Sequence, residues 1–220
     1  MSRRSSGNMK LAALSFALAG GALICASAVS VNAEDAARTP AITTAELDTY
    51  VKGMWPHVEP GWEGRLAQDE TQALCSRVRN NPSAEDAEKI TQREAATVKY
   101  PGDGNVLGDW REGEKIASSG KGGQFSDAPD TKHGGNCYAC HQLAPDELAF
   151  GTIGPSLTGY GKQHGFSPEA ARTAYAKLFN AQASVACSNM PRFGVHGFLT
   201  EQQLKDVNAF LFDRESPVNK

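Results

Sequence analysis

The sequence has little excess charge of either sign. Its 22 Lys and Arg face 25 Asp and Glu, a formal net charge of −3 with pI near 6.0. The basic footprint that nucleic-acid binding requires is therefore missing. Long apolar runs are also missing. The one candidate, Leu11 to Ile24, is short and rich in Gly and Ala for a transmembrane span. It follows Arg3, Arg4 and Lys10 and precedes the small residues around Ala33. That order reads as an export signal over residues 1–33, cleaved near Ala33, with no membrane span left in the mature protein. No apolar residue closely follows the arginine pair, which argues against the twin-arginine route. Cys25 follows the bulky Ile24, where a lipid-attachment site wants a small residue, so it reads as an ordinary signal residue. Without residues 1–33 the net charge is −6, mildly acidic. Methionine is scarce as well. Of four in the chain, only Met54 and Met190 remain after the signal. No internal repeat is present.

Cysteine is sparse and informative. Five occur, and two lie in Cys137-Tyr138-Ala139-Cys140-His141. Two cysteines at this spacing with histidine immediately after is the attachment signature of c-type haem. Each sulfur adds to one vinyl group, and the histidine presents its imidazole to the iron. A zinc site would need two more Cys or His at short spacing, and the next cysteine is Cys187. A thioredoxin-type pair would need a βαβ context, which is not visible. No second such motif occurs, so one covalent haem c is expected. Cys75 and Cys187 remain, an even pair in an oxidising compartment. A disulfide between them is expected, worth about 2–5 kcal/mol. Two buried free thiols are the alternative, and a reactive thiol is the third reading.

Helical signals run through the mature chain, and the expected fold class is all-α. Thr43 with Glu46 forms a capping box ahead of Leu47, Tyr50, Val51 and Met54 at helical spacing. A second helix is expected over 66–78. Ser83 caps a third, with Ala87, Ile90, Glu94, Thr97 and Val98 on one face. Tyr100-Pro101-Gly102-Asp103-Gly104 is strong punctuation. It divides an N-terminal helical extension, 34–101, from a haem domain, 102–220. Within the latter, helices are expected over 109–119, from Ser167-Pro168 to about Asn180, and from the Thr200/Gln203 capping box to about Asp213. The residues after that read as a polar tail.

The haem reading directs attention to further residues. An iron-bound imidazole usually donates its other N–H to a carbonyl. Pro155 has no N–H to give, but its carbonyl can accept; a plain loop is the equal alternative. A closed electron-transfer site needs a second axial ligand. Met190, in a loop beside Pro191, is the strongest candidate, with His164 and His196 behind it. His133 is too close in sequence to compete with His141, and Met54 and His57 have nothing tying them to the haem. Thioether opposite imidazole suits electron transfer and argues against a peroxidase or oxygen-handling site, which needs an open position.

Several stretches together resemble one family. These are Gly135–His141, Gly151–Leu157, Cys187–Gly194, Leu199–Asp206, the lead-in Gly108–Ala117 and the terminal Ser216–Asn219. They are similar to SoxX, the monohaem subunit of the SoxAX cytochrome of sulfur-oxidising bacteria. The match covers about half the chain and is most specific in the Met190-Pro191-Arg192-Phe193-Gly194 loop. The resemblance implies a class I cytochrome c fold, with His141 proximal, Met190 distal and Pro155 as carbonyl partner. It also implies a periplasmic heterodimer with a SoxA-type subunit. That complex is an L-cysteine S-thiosulfotransferase, which couples thiosulfate oxidatively to the SoxYZ carrier. The partner subunit would make the bond, while this chain would accept electrons and pass them to a small cytochrome c. The alternative is a free-standing periplasmic carrier of another pathway.

Overall fold

The computed structural model describes residues 42–57, 63–124, 126–128 and 130–220. The expected signal segment, Cys25 included, lies outside them. The described residues form helices and short 3-10 turns, with no strand. None of the described helices is long and apolar enough to cross a membrane. The chain divides into two compact units, Met1–Met54 and Trp55–Lys220.

In the first unit, α1 spans Thr44–Met54. Thr43 Oγ accepts from the Glu46 N–H, and the Glu46 carboxylate accepts from the Thr43 N–H. The capping box therefore sets the start of the helix as expected. Its apolar stripe is not buried. Leu47, Tyr50 and Met54 are exposed, so Met54 is not the core residue its spacing suggests. Periodicity specifies a helix, but burial requires a partner surface as well.

The second unit holds α2 (Glu70–Arg77), α3 (Ala84–Ala95), α4 (Trp110–Ser118), α5 (Tyr160–Gln163), α6 (Pro168–Phe179) and α7 (Glu201–Phe212). α2 starts four residues later than 66. Asp69 accepts from the Gln72 N–H while Gln72 reaches back to the Asp69 N–H, and that reciprocal pair fixes the N-terminus. Ser83, Ser167 and Thr200 cap α3, α6 and α7 through their hydroxyls.

α4 and α7 cross at Gly113. A Cβ there would lie 2.0 Å from the Asp206 carbonyl oxygen, so only glycine allows the two backbones to approach this closely. Asp206 then ties the helices together, its carboxylate accepting from the Asp109 N–H at 2.9 Å and from Gln202 Nε2 at 2.7 Å. One face of α7 meets α6 in the main core through Tyr175, Leu178, Leu204, Val207 and Leu211. Each such side chain contributes about 1.5–3 kcal/mol by leaving water. The opposite side carries Phe210, which packs with Ala117, Leu143 and Val218. Buried Asn208 joins three segments, donating to the carbonyls of Val106 and Ala171, each at 2.9 Å.

The terminal residues are not a loose polar tail. Ser216 caps a 3-10 turn over Pro217–Asn219 and donates to the Phe210 carbonyl at 2.5 Å. Asn219 donates to the carbonyls of Leu211 and Asp213, at 3.0 and 2.9 Å. These side chains satisfy acceptors that the end of α7 leaves open.

Candidate haem site

The Cys137–His141 segment leaves the end of α4 along a short backbone ladder. Gly135 N–H donates to the Ile116 carbonyl at 2.8 Å and Asn136 N–H to that of Ser119 at 2.9 Å. Asn136 takes a left-handed conformation, φ 49°, a state asparagine tolerates well. It turns the chain into a 3-10 turn over Cys137–Ala139. The Cys137 carbonyl accepts from both Cys140 and His141, at 3.1 and 2.9 Å. Both thiols are free. Burial, followed by the neighbouring Cys140, pushes the Cys137 thiol up to about 12.

His141 Nδ1 lies 2.7 Å from the Pro155 carbonyl oxygen. An imidazole that donates from Nδ1 keeps the Nε2 lone pair free. The 151–157 loop is fastened at two points to the motif and at a third to the residue after it. Gly151 N–H donates to the Tyr138 carbonyl, Gly154 to Cys140 and Leu157 to Gln142, each at 2.8 Å. A Cβ on Gly154 would lie 2.2 Å from His141 Cε1, so this glycine makes room for the ring.

Met190 sits in the turns between α6 and α7, half-buried against the main core. Its N–H donates to Ser188 Oγ at 3.2 Å. Cys187 and Cys75 form a disulfide with a Cα–Cα distance of 5.4 Å, packed with Ile90. Beyond Pro191, the buried Arg192 donates to Asp69 Oδ2 at 2.5 Å and to Glu94 Oε2 at 3.3 Å. An open cleft of about 410 Å³ borders this loop, lined by Gln72, the disulfide, Asn189, Met190 and His196.

The other sequence candidates have different surroundings. His133 Nδ1 is 2.9 Å from the Phe198 carbonyl, and its ring stacks on Phe198 at 4.5 Å. His164 packs on Tyr160 with ring centroids 4.4 Å apart. His57 and His196 are exposed. No cluster of three His, Cys, Asp or Glu residues suited to a bare metal ion occurs among the described residues.

Residues 110–213 match the cytochrome c family. The chain is also 40% identical over 192 residues to a protein of Aquifex aeolicus (strain VF5) described as an uncharacterized lipoprotein. That similarity spans 86% of this chain and 90% of the relative. Residues 110–213 are a cytochrome c domain.

As a c-type cytochrome it is an electron-transfer haem protein with covalently bound haem c. The residues present fit that group. Two unpaired thiols share one turn, an imidazole with a free Nε2 follows, and a half-buried thioether sits in a separate loop. The family match begins at α4 and ends just past α7, so α2 and α3 lie outside it.

What the sequence reading missed is a polar cluster beside the methionine loop. Glu94 is buried and accepts from Thr71, from Asn180 Nδ2 at 2.8 Å and from Arg192. Burial pushes its carboxyl up. The hydrogen bonds of Thr71 and Asn180 and the Arg192 guanidinium outweigh that, so it titrates below the usual carboxylate range. The one signal available beforehand was Glu94 standing on the apolar face of its own helix.

Proposed function

We propose that this cytochrome is an exported one-haem electron carrier. Cys137 and Cys140 would hold the haem through thioethers, and His141 Nε2 and Met190 Sδ would ligate its iron. The haem, when bound, supplies a one-electron centre. The protein's residues do the rest. The Pro155 carbonyl fixes the His141 tautomer and ring plane and raises its basicity. A thioether from Met190 beside the imidazole of His141 in the ligand set would raise the potential. Leu143, Leu157 and Phe210 pack in one apolar cluster with Cys137, which shields that attachment point from water. The observation that carries this reading is His141 held 2.7 Å from the Pro155 carbonyl beside two free thiols in one turn. Pyridine haemochrome quantification against protein mass tests it. One haem per chain is expected, and no haem in Cys137→Ser/Cys140→Ser. Met190→Ala should lose the thioether-to-iron absorption band; a band that persists would remove Met190 from the site.

Within that class, the SoxX resemblance supports a finer reading. The chain would be the electron-accepting subunit of a SoxAX-type thiosulfotransferase in the periplasm, paired with a SoxA-type cytochrome that makes the bond to the SoxYZ carrier. Electrons would leave to a small cytochrome c. The apolar leader over 1–33 supports export, and so does the description of the Aquifex relative as a lipoprotein. Thiosulfate-dependent haem reduction that requires a co-purifying SoxA-type subunit tests the finer reading. Reduction without such a subunit would favour a free-standing carrier instead.

A further inference from the structure

Three side chains of the Met190 loop are held by residues outside the segment that matches the family. Cys187 is bonded to Cys75 of α2. Asn189 Oδ1 accepts from Asn80 Nδ2 at 3.3 Å. Arg192 donates to Asp69, the cap of α2, and to Glu94 of α3. These anchors fall three residues before Met190, one before it and two after it. All four of their partners lie between residues 69 and 94. From residue 184 to the start of α7 the chain has no helix of its own, only turns, bends and irregular backbone. Such a segment belongs to the low-stability end of a fold unless it is tied down.

The ties are themselves anchored. Glu94 is fixed by Thr71 and by Asn180 at the end of α6, and Asn180 also donates to Thr97 Oγ at 2.8 Å. Arg93 adds hydrogen bonds to Thr71 and to Glu70. Removing one partner of a buried ion pair leaves the other charge uncompensated, so the Arg192 seat resists partial release.

We propose that α2 and α3 are a clamp on the loop of the distal ligand, with Arg192 as its positioning residue. The disulfide secures one side of Met190 and the two carboxylates secure the other. The clamp keeps the thioether in place against competing outside ligands. This rests on the reading of Met190 as axial ligand.

The test uses the full-length haem-loaded protein and imidazole as probe, with stopped-flow rates of binding to the oxidised form. Arg192→Met should keep the thioether band but bind imidazole about tenfold faster or more, equivalent to about 1.4 kcal/mol. Arg192→Lys should fall between, since an ammonium cannot span two carboxylates as a guanidinium fork does. Glu94→Gln should act in the same direction and serves if Arg192→Met does not accumulate. Asn208→Ala loosens the fold away from this loop and should leave the rate unchanged. In a Met190→Ala background, Arg192→Met should add nothing.

An unchanged rate in both Arg192→Met and Glu94→Gln overturns the clamp. So does an equal acceleration in Asn208→Ala, or a further acceleration on top of Met190→Ala. If Met190→Ala retains the thioether band, the ligand assignment fails and the clamp falls with it, by a signature the other outcomes do not share.

Discussion

Replacing Gly113 with alanine puts a methyl group 2.0 Å from the Asp206 carbonyl oxygen, 2.5 Å from its carbon and 2.9 Å from Phe210 Cβ. Two of those three atoms are backbone, so no rotamer change relieves the overlap. α4 and α7 must separate by on the order of 1 Å, which lengthens the Asp109–Asp206 hydrogen bond and loosens Phe210 against Ala117. Overpacking a core costs about 1–3 kcal/mol and sometimes more, and backbone overlap belongs at the upper end. Alanine returns about 1 kcal/mol through helix propensity. The expected net loss is about 2 kcal/mol. For a chain of this length that lowers Tm by about 4–8 °C. Guanidinium titration and calorimetry of the haem-loaded protein read both quantities. A Gly113→Ala protein as stable as wild type to within about 0.5 kcal/mol, or more stable, would refute the close crossing as the reason for glycine.

Gly154→Ala should push the His141 ring off the Pro155 carbonyl, with reduced haem incorporation and a changed Soret spectrum at similar helix content. Mutating Cys75 and Cys187 together to alanine should cost about 2–5 kcal/mol in denaturant titration while leaving haem attached. Glu94 carries a depressed folded-state pKa. Its stabilisation is therefore fully present above the unfolded value, about 4.3, and is lost as pH falls through the folded value. Glu94→Gln should thus lie below wild type at pH 7, and the gap should narrow in urea titrations taken progressively below pH 4.

The helices with chemical boundary marks were legible. Thr43/Glu46, Ser83, Ser167-Pro168 and Thr200/Gln203 each state a start in two or three neighbouring residues, and the structure starts a helix at each. Asp69/Gln72 is the same kind of signal, but the apolar Leu66 ahead of it drew the expected start too early. The turns at Cys137, Ala181 and Pro217 are too short to show any period. At the site, the thiols and histidine stand together in the sequence, and Pro155 lies only 14 positions from His141. Arg192 and Glu94 are 98 positions apart. Arg192 looks like an ordinary solvated charge, and Glu94 is marked only by its place on the apolar face of its helix, until the fold removes water from both. The buried amides Asn180 and Asn208 were illegible for the same reason, since their acceptors lie on distant segments, Glu94 and Thr97 for the first and the carbonyls of Val106 and Ala171 for the second.

The Cys75–Cys187 bond encloses the haem motif within a covalent loop of sequence separation 112. Lys121 and Lys132 are exposed within that loop, ahead of Cys137. A protease that cuts after either lysine therefore releases no fragment. The nicked chain should run as one band on a non-reducing gel and separate only when a thiol is added, with the haem colour following the piece that carries residues 137–141. The same bond keeps the methionine loop tethered to α2 after the peptide backbone between them has been severed.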